Sequence, residues 1–155
     1  MTAAVASSAT SSVVDGPQAV TFAVGDLRLA LEVGCVREIV RGVTPVPVPH
    51  APADVAGIMD WRGRLIPLID LRTRFGLAEP GPREHARVIV VESGSRVFGL
   101  AVDKVHTIVR FDPNDLRAPS AVSAALAVLP DVRAIEGTDL ILLNAAMFAS
   151  GPALN

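Results

Sequence analysis

Three histidines (His50, His85 and His106), one cysteine (Cys35) and two aspartates flanking an apolar hairpin (Asp60 and Asp70) are the residues that could ligate a metal or move a proton. Their spacing favours neither. Zinc sites draw closely spaced pairs of His and Cys, and here the histidines are scattered with no cysteine beside them. The chain has no G-x-S-x-G nucleophile elbow and no phosphate-cradling glycine loop. Asp70 stands where a helix cap is needed, and Cys35, beside Gly34 near a strand end, reads as a small buried residue. The expectation is a protein that is not an enzyme and holds no metal and no cofactor.

The other chemically capable groups are arginines. In "GIMDWRGRLIPLIDLRTRFGL" (57–77), Arg62, Arg64, Arg72 and Arg74 interrupt an apolar stretch, and Arg62 precedes Gly63 where the chain should turn. A guanidinium there is either a solvated turn residue or a fork presented to a carboxylate or carbonyl. A small barrel with "RTR" beside such a turn could also bind nucleic acid, but single-strand binders join a basic groove to stacking aromatics. This chain has five Phe, one Trp, no Tyr and a net charge of −2, so no nucleic-acid partner is expected.

The elements that must position these groups have period two. Val20, Phe22 and Val24 alternate, then Leu27, Leu29, Leu31 and Val33, with Gly25-Asp26 between them: a hairpin. "RVIVVESGSRVFGLAVDKV" repeats the pattern around 92–95, and 57–61 with 64–69 form a third hairpin about Arg62-Gly63. Asp70 then caps a short helix through "LRTRF", stopped by Gly76. "DLILLN" reads as a last strand leading into a short helical "AAMFA". Trp61 falls on an inward position by alternation, and core packing is favoured over an exposed interface anchor. In "TPVPVPH" (44–50), prolines at alternate positions remove donors from one edge, which confines the segment to a sheet edge or a connector.

Half of the 155 residues are hydrophobic, enough for a substantial core. The Ser/Thr/Ala-rich start has no basic or continuous apolar region of a secretory signal, so residues 1–17 read as a flexible tail, with 150–155 as a C-terminal tail. No apolar run reaches the length of a membrane-spanning helix, so no direct membrane insertion is expected and the cytoplasm is the expected location.

Self-comparison shows an internal repeat. "GDLRLALEVGCVREIVR" (25–41) and "GSRVFGLAVDKVHTIVR" (94–110) agree at seven of seventeen positions, and "WRGRLIPLID" (61–70) corresponds to "IEGTDLILLN" (135–144). Gly63 meets Gly137 and Asp70 meets Asn144, whereas Arg62 meets Glu136 and Glu38 meets Thr107. The expected fold class is all-β: two small five-stranded β-barrels packed together, with few short helices and an apolar seam. The glycine of the turn belongs to the repeated frame; the arginine does not.

"VREIV", the 57–77 stretch and "FGLAVDKV" together resemble the CheW family, the coupling proteins of bacterial chemotaxis, over residues 18–149. The resemblance implies two SH3-like barrels as subdomains of one CheW-like domain. It implies a non-catalytic adaptor, recruited to membrane-bound receptor arrays, that links the cytoplasmic tip of a chemoreceptor to the regulatory domain of a CheA-type histidine kinase. A CheW-like scaffold of a pilus-motility or other chemosensory pathway is the alternative. By resemblance, the partner-binding positions are Val36, Glu38, Gly57, Arg62 and Gly63. Family members usually carry Asn-Leu before the Arg-Gly pair; this chain has Asp60-Trp61.

Overall fold

The computed structural model describes residues 16–77, 85–118 and 132–149; the expected N-terminal tail to residue 15, and the C-terminal one, lie outside these. The alternating segments form strands where the sequence places them. Strands β1 (Gln18–Val24) and β2 (Leu27–Glu32) make the first hairpin, followed by β3 (Val36–Val43). The second hairpin is β4 (Val55–Trp61) with β5 (Arg64–Asp70), which runs into helix α1 (Leu71–Arg74). The third is β6 (His85–Ser93) with β7 (Arg96–Val102), followed by β8 (Lys104–Arg110). Short strands β9 (Leu116–Arg117), β10 (Arg133–Ile135) and β11 (Ile141–Leu142) lead to helix α2 (Ala146–Ala149). The last strand is shorter than "DLILLN" suggests, with Leu143 adding one backbone bond to Ala30 at 2.9 Å.

Two sheets result, in the orders β8-β1-β2-β11-β10-β9 and β3-β6-β7-β5-β4. Aligned by the repeat, β8, β1, β2, β11 and β10 of the first correspond to β3, β6, β7, β5 and β4 of the second; β9 is an addition. The parallel contacts match as well, β2 with β11 and β7 with β5. So do the caps: Asp70 Oδ1 accepts from the Arg72 amide at 3.0 Å and Asn144 Oδ1 from the Ala146 amide at 2.9 Å.

The two barrels are not two consecutive halves. After its own hairpin, β3 crosses to pair with β6, and β8 crosses back to pair with β1. Each repeat therefore supplies the third strand of the other's barrel. Where β8 bulges past β1, the buried Thr21 hydroxyl donates to the Thr107 carbonyl at 2.8 Å and accepts from the Thr107 amide at 3.1 Å. That exchange satisfies groups the bulge would leave unpaired.

Central strands are buried on both faces. Val88 and Val90 of β6 point into the second barrel's interior, and Ile89 and Val91 point into the seam. The seam is the largest apolar cluster and draws on both sheets, with Phe22, Leu29 and Leu31 meeting Phe98 and Leu100. Phe75 after α1 and Phe148 of α2 complete it. Burying each such side chain contributes roughly 1.5–3 kcal/mol, so the shared seam is a main stabiliser of both barrels. The proline-rich segment lies at the outer edge of β4. Val46 exchanges both backbone bonds with Ile58 at 2.9 Å, which turns Pro45 and Pro47 outward.

Candidate functional site

The β4–β5 turn places Arg62 at φ 54° and Gly63 at φ 80°, so both central residues are left-handed. This is the conformation that two-residue hairpins favour because it matches strand twist, and glycine or asparagine suits it best. Asp60 Oδ1 accepts from the Gly63 amide at 2.9 Å and ties the turn down. Gly63 is thus required by backbone conformation. Arg62 is held where an L side chain is strained, and the turn chemistry gives no reason for arginine.

The Arg62 side chain reaches across to β3. Glu38 Oε1 accepts from Arg62 Nε at 3.2 Å and lies 3.1 Å from its Nη2. The same oxygen accepts from the indole Nε1 of Trp61 at 2.8 Å, and the Arg62 guanidinium sits 5.2 Å from the centre of the Trp61 ring. Trp61 is half-buried, with its ring packed against the second barrel's core and its N–H spent on Glu38. The ring thus packs on the core as alternation suggests, but it is only partly buried and its polar edge is spent at the site. Because β3 and β4 are the two outer strands of the five-stranded sheet, these bonds join its opposite sides. Arg62 remains 70% exposed and Glu38 40%.

Of the five positions that the resemblance singles out, Glu38, Arg62 and Gly63 come together. Val36 opens β3 and packs half-buried against the seam cluster. Gly57 lies along β4 at a bulge, where an added Cβ would stand 2.3 Å from the Val46 carbonyl oxygen. It is there to let the proline-rich edge approach.

Two other arginines of the stretch, Arg72 and Arg74, are structural. Arg72 holds Asp103 with two bonds, Nε to Oδ1 at 3.1 Å and Nη2 to Oδ2 at 2.7 Å, and the Gly25 amide donates to the same carboxylate at 2.7 Å. Burial pushes the Asp103 carboxyl up, but the Arg72 and Gly25 donors outweigh it and hold it below its ordinary value. Arg74 pairs with Asp54 at 3.0 Å, donates to the Met147 carbonyl at 3.2 Å and lies over the Phe148 ring. "RTR" thus clamps α1 to both barrels and is not a basic patch open to a polyanion. Those partners are remote in sequence, so no local signal discloses them.

A cleft of about 430 Å³ opens between Glu32, Cys35, Glu92, Arg133 and Asn144. Cys35 is half-buried there rather than fully buried, with its thiol donating to the Glu32 carbonyl at 3.1 Å and pushed up mainly by burial. Among the described residues, no three of His, Cys, Asp and Glu gather as metal ligands would. At the first barrel's matching turn, Glu136 pairs with Arg117. The charges are reversed there, with the carboxylate in the turn and the exposed arginine on β9, so an arginine at the hairpin tip is not duplicated.

Two interleaved small barrels with an arginine braced at one hairpin tip define an all-β scaffold of the kind that works by protein contact. Residues 18–150 match the CheW-like domain family, and the chain belongs to it. The chain is 35% identical to the chemotaxis protein CheW of Rhizobium meliloti over 132 residues, 83% of this chain and 84% of that one. It is 31% identical to that of Klebsiella aerogenes over 83% of this chain and 79% of that one. The crystal structure of the scaffolding protein TtCheW from Thermoanaerobacter tengcongensis superposes with a TM-score of 0.70 at 28% identity, covering 83% of this chain and 88% of that one. The protein is a coupling adaptor of chemotaxis signal transduction.

Proposed function

We propose that the chain links the cytoplasmic tip of a chemoreceptor to the regulatory domain of a CheA-type histidine kinase, catalysing nothing itself, and that the receptor docks at the Arg62 hairpin. The observation that carries this reading is the strained arginine. A side chain at φ 54° in a turn that favours glycine or asparagine is retained at a conformational cost, and its guanidinium is both braced and exposed. Such a fork suits a carboxylate or carbonyl on a partner surface. Glu38 orients it and Gly63 makes the turn, while Val36 opens the strand that carries Glu38 and Gly57 lies on the strand that leads into the turn. No helix among the described residues is long and apolar enough to cross a membrane, and the chain reaches receptor arrays from the cytoplasm through its partners.

The test is receptor-dependent kinase activation with Arg62→Glu. Attraction becomes repulsion, both toward Glu38 and toward an acceptor on the receptor, so coupling should collapse while the fold persists. Wild-type activation by a folded Arg62→Glu protein would remove Arg62 from the docking surface.

A further inference from the structure

Trp61 is the only tryptophan of the chain, and its contacts do more than fill space. Its indole N–H makes the shortest of the three contacts on Glu38 Oε1, 2.8 Å against 3.1 and 3.2 Å from Arg62. Its ring also lies beneath the guanidinium that the same carboxylate pairs with. One residue therefore fixes the arginine twice, through the carboxylate it holds and through the π-face it offers.

The geometry points to Trp61 as a positioning residue for partner recognition, acting through Glu38 and Arg62 rather than by touching the partner. This rests on the proposal that Arg62 meets the receptor. An exposed ion pair between two long side chains is ordinarily mobile, because holding it sacrifices rotamer freedom. Here the carboxylate is pinned by a donor from a half-buried ring on β4, so the freedom is already lost in the free protein. Glu38 Oε1 is filled, and no contact to Oε2 occurs among the described residues. The Arg62 Nη1 hydrogens likewise carry no bond among them. The site thus presents one cationic donor group and one acceptor oxygen at fixed separation. The matching partner surface carries a carboxylate or carbonyl for Arg62 beside an N–H donor for Glu38. Preorganisation of this kind raises affinity by removing an ordering cost from the binding step.

Trp61→Phe separates this role from packing, because it keeps an aromatic ring over the core and under the arginine and deletes only the indole donor. Titration of a host chemoreceptor's cytoplasmic fragment against the full chain should show affinity about tenfold weaker, the scale of having to immobilise the Glu38 and Arg62 side chains on binding. The urea midpoint should stay near that of wild type. In an Arg62→Ala background, the same Trp61→Phe change should leave affinity untouched, since the group it positions is gone. Wild-type affinity for Trp61→Phe, or an equal loss with and without Arg62, overturns the positioning role. If Arg62→Ala alone binds like wild type, the docking assignment fails with it; if Arg62→Ala binds weakly and Trp61→Phe binds normally, only the role of Trp61 fails.

Discussion

Replacing Arg62 by asparagine and by alanine separates what the arginine costs from what it contributes. The left-handed conformation at φ 54° costs an ordinary L residue about 1–2 kcal/mol, and asparagine adopts it far more readily. Against this, the pair with Glu38 contributes about 0–1 kcal/mol, because Arg62 is 70% exposed and water screens it. The guanidinium over Trp61 adds about 0.5–1 kcal/mol at such a site. Arg62→Ala loses both contacts and keeps the strain, so it should be less stable by roughly 1 kcal/mol. Arg62→Asn loses the same contacts and sheds most of the strain, so it should match wild type to within about 0.5 kcal/mol and exceed alanine by about 1 kcal/mol. Urea unfolding followed by far-ultraviolet circular dichroism suits the comparison, since Trp61 fluorescence is perturbed by the mutation itself. Both variants should fail in receptor-dependent kinase activation, so stability and function part company in the asparagine variant. Equal stability of the two variants would refute the strain argument. Full coupling by Arg62→Asn would refute the claim that the fork is what the partner reads.

Two further outcomes follow from the clamps and the interleaved sheets. Asp103 is held below its ordinary carboxyl value near 3.8 in the folded state, so its contribution to stability is present above that value and is lost as pH falls through the lowered one. Stability of wild type should therefore fall on acidification below about pH 4, while Asp103→Asn should be less stable at neutral pH and show a flatter acid limb; an unchanged limb would mean the clamp contributes nothing. Phe111 is buried in the first barrel's own cluster, and Phe111→Leu should cost about 1–2 kcal/mol. Trp61 reports only on the second barrel, yet its fluorescence transition should move as far as the dichroism transition; separate midpoints would show barrels that unfold independently.

What the sequence discloses is what depends on neighbours in the chain. Alternation at Val20–Val33 and 57–69, the glycines of the turns and the caps at Asp70 and Asn144 are local chemistry, and the strands, turns and helices stand where that chemistry puts them. The repeat, read by comparing residues 25–41 with 94–110, anticipates matching sheets but not the exchange of their third strands. The apolar residues of β3, Val36, Ile39, Val40 and Val43, would suit a place beside β1 as well as one beside β6, and only tertiary packing selects. The Arg62-Gly63 pair announces a turn, but not that the arginine itself adopts positive φ. Gly57 attracts notice through family resemblance, whereas its packing reason is the Val46 carbonyl at the edge of the sheet. The pairs of Arg72 with Asp103, Arg74 with Asp54 and Trp61 with Glu38 join residues 20 to 31 positions apart, beyond the reach of periodicity.

The exchange of strands bears on what a coupling protein must do. Two barrels strung on a linker would meet through a small polar interface and move relative to each other, so partners on separate barrels would face a variable geometry. Here each barrel contains strands from both halves of the chain, the seam is the largest part of the core, and the Arg72–Asp103 clamp ties α1 and the β7–β8 corner to the β1–β2 turn. Relative motion of the barrels would strain the short β2–β3 and β7–β8 connections that cross between the sheets as well as slide an interface. Glu38 shows the consequence at the site itself. It rides on a strand that leaves one barrel's hairpin to form the edge of the other, and it closes that barrel by reaching Trp61 and Arg62. The hairpin that carries the arginine is thereby fixed to the whole molecule, and a partner bound there meets a surface whose orientation to the rest of the protein is already set.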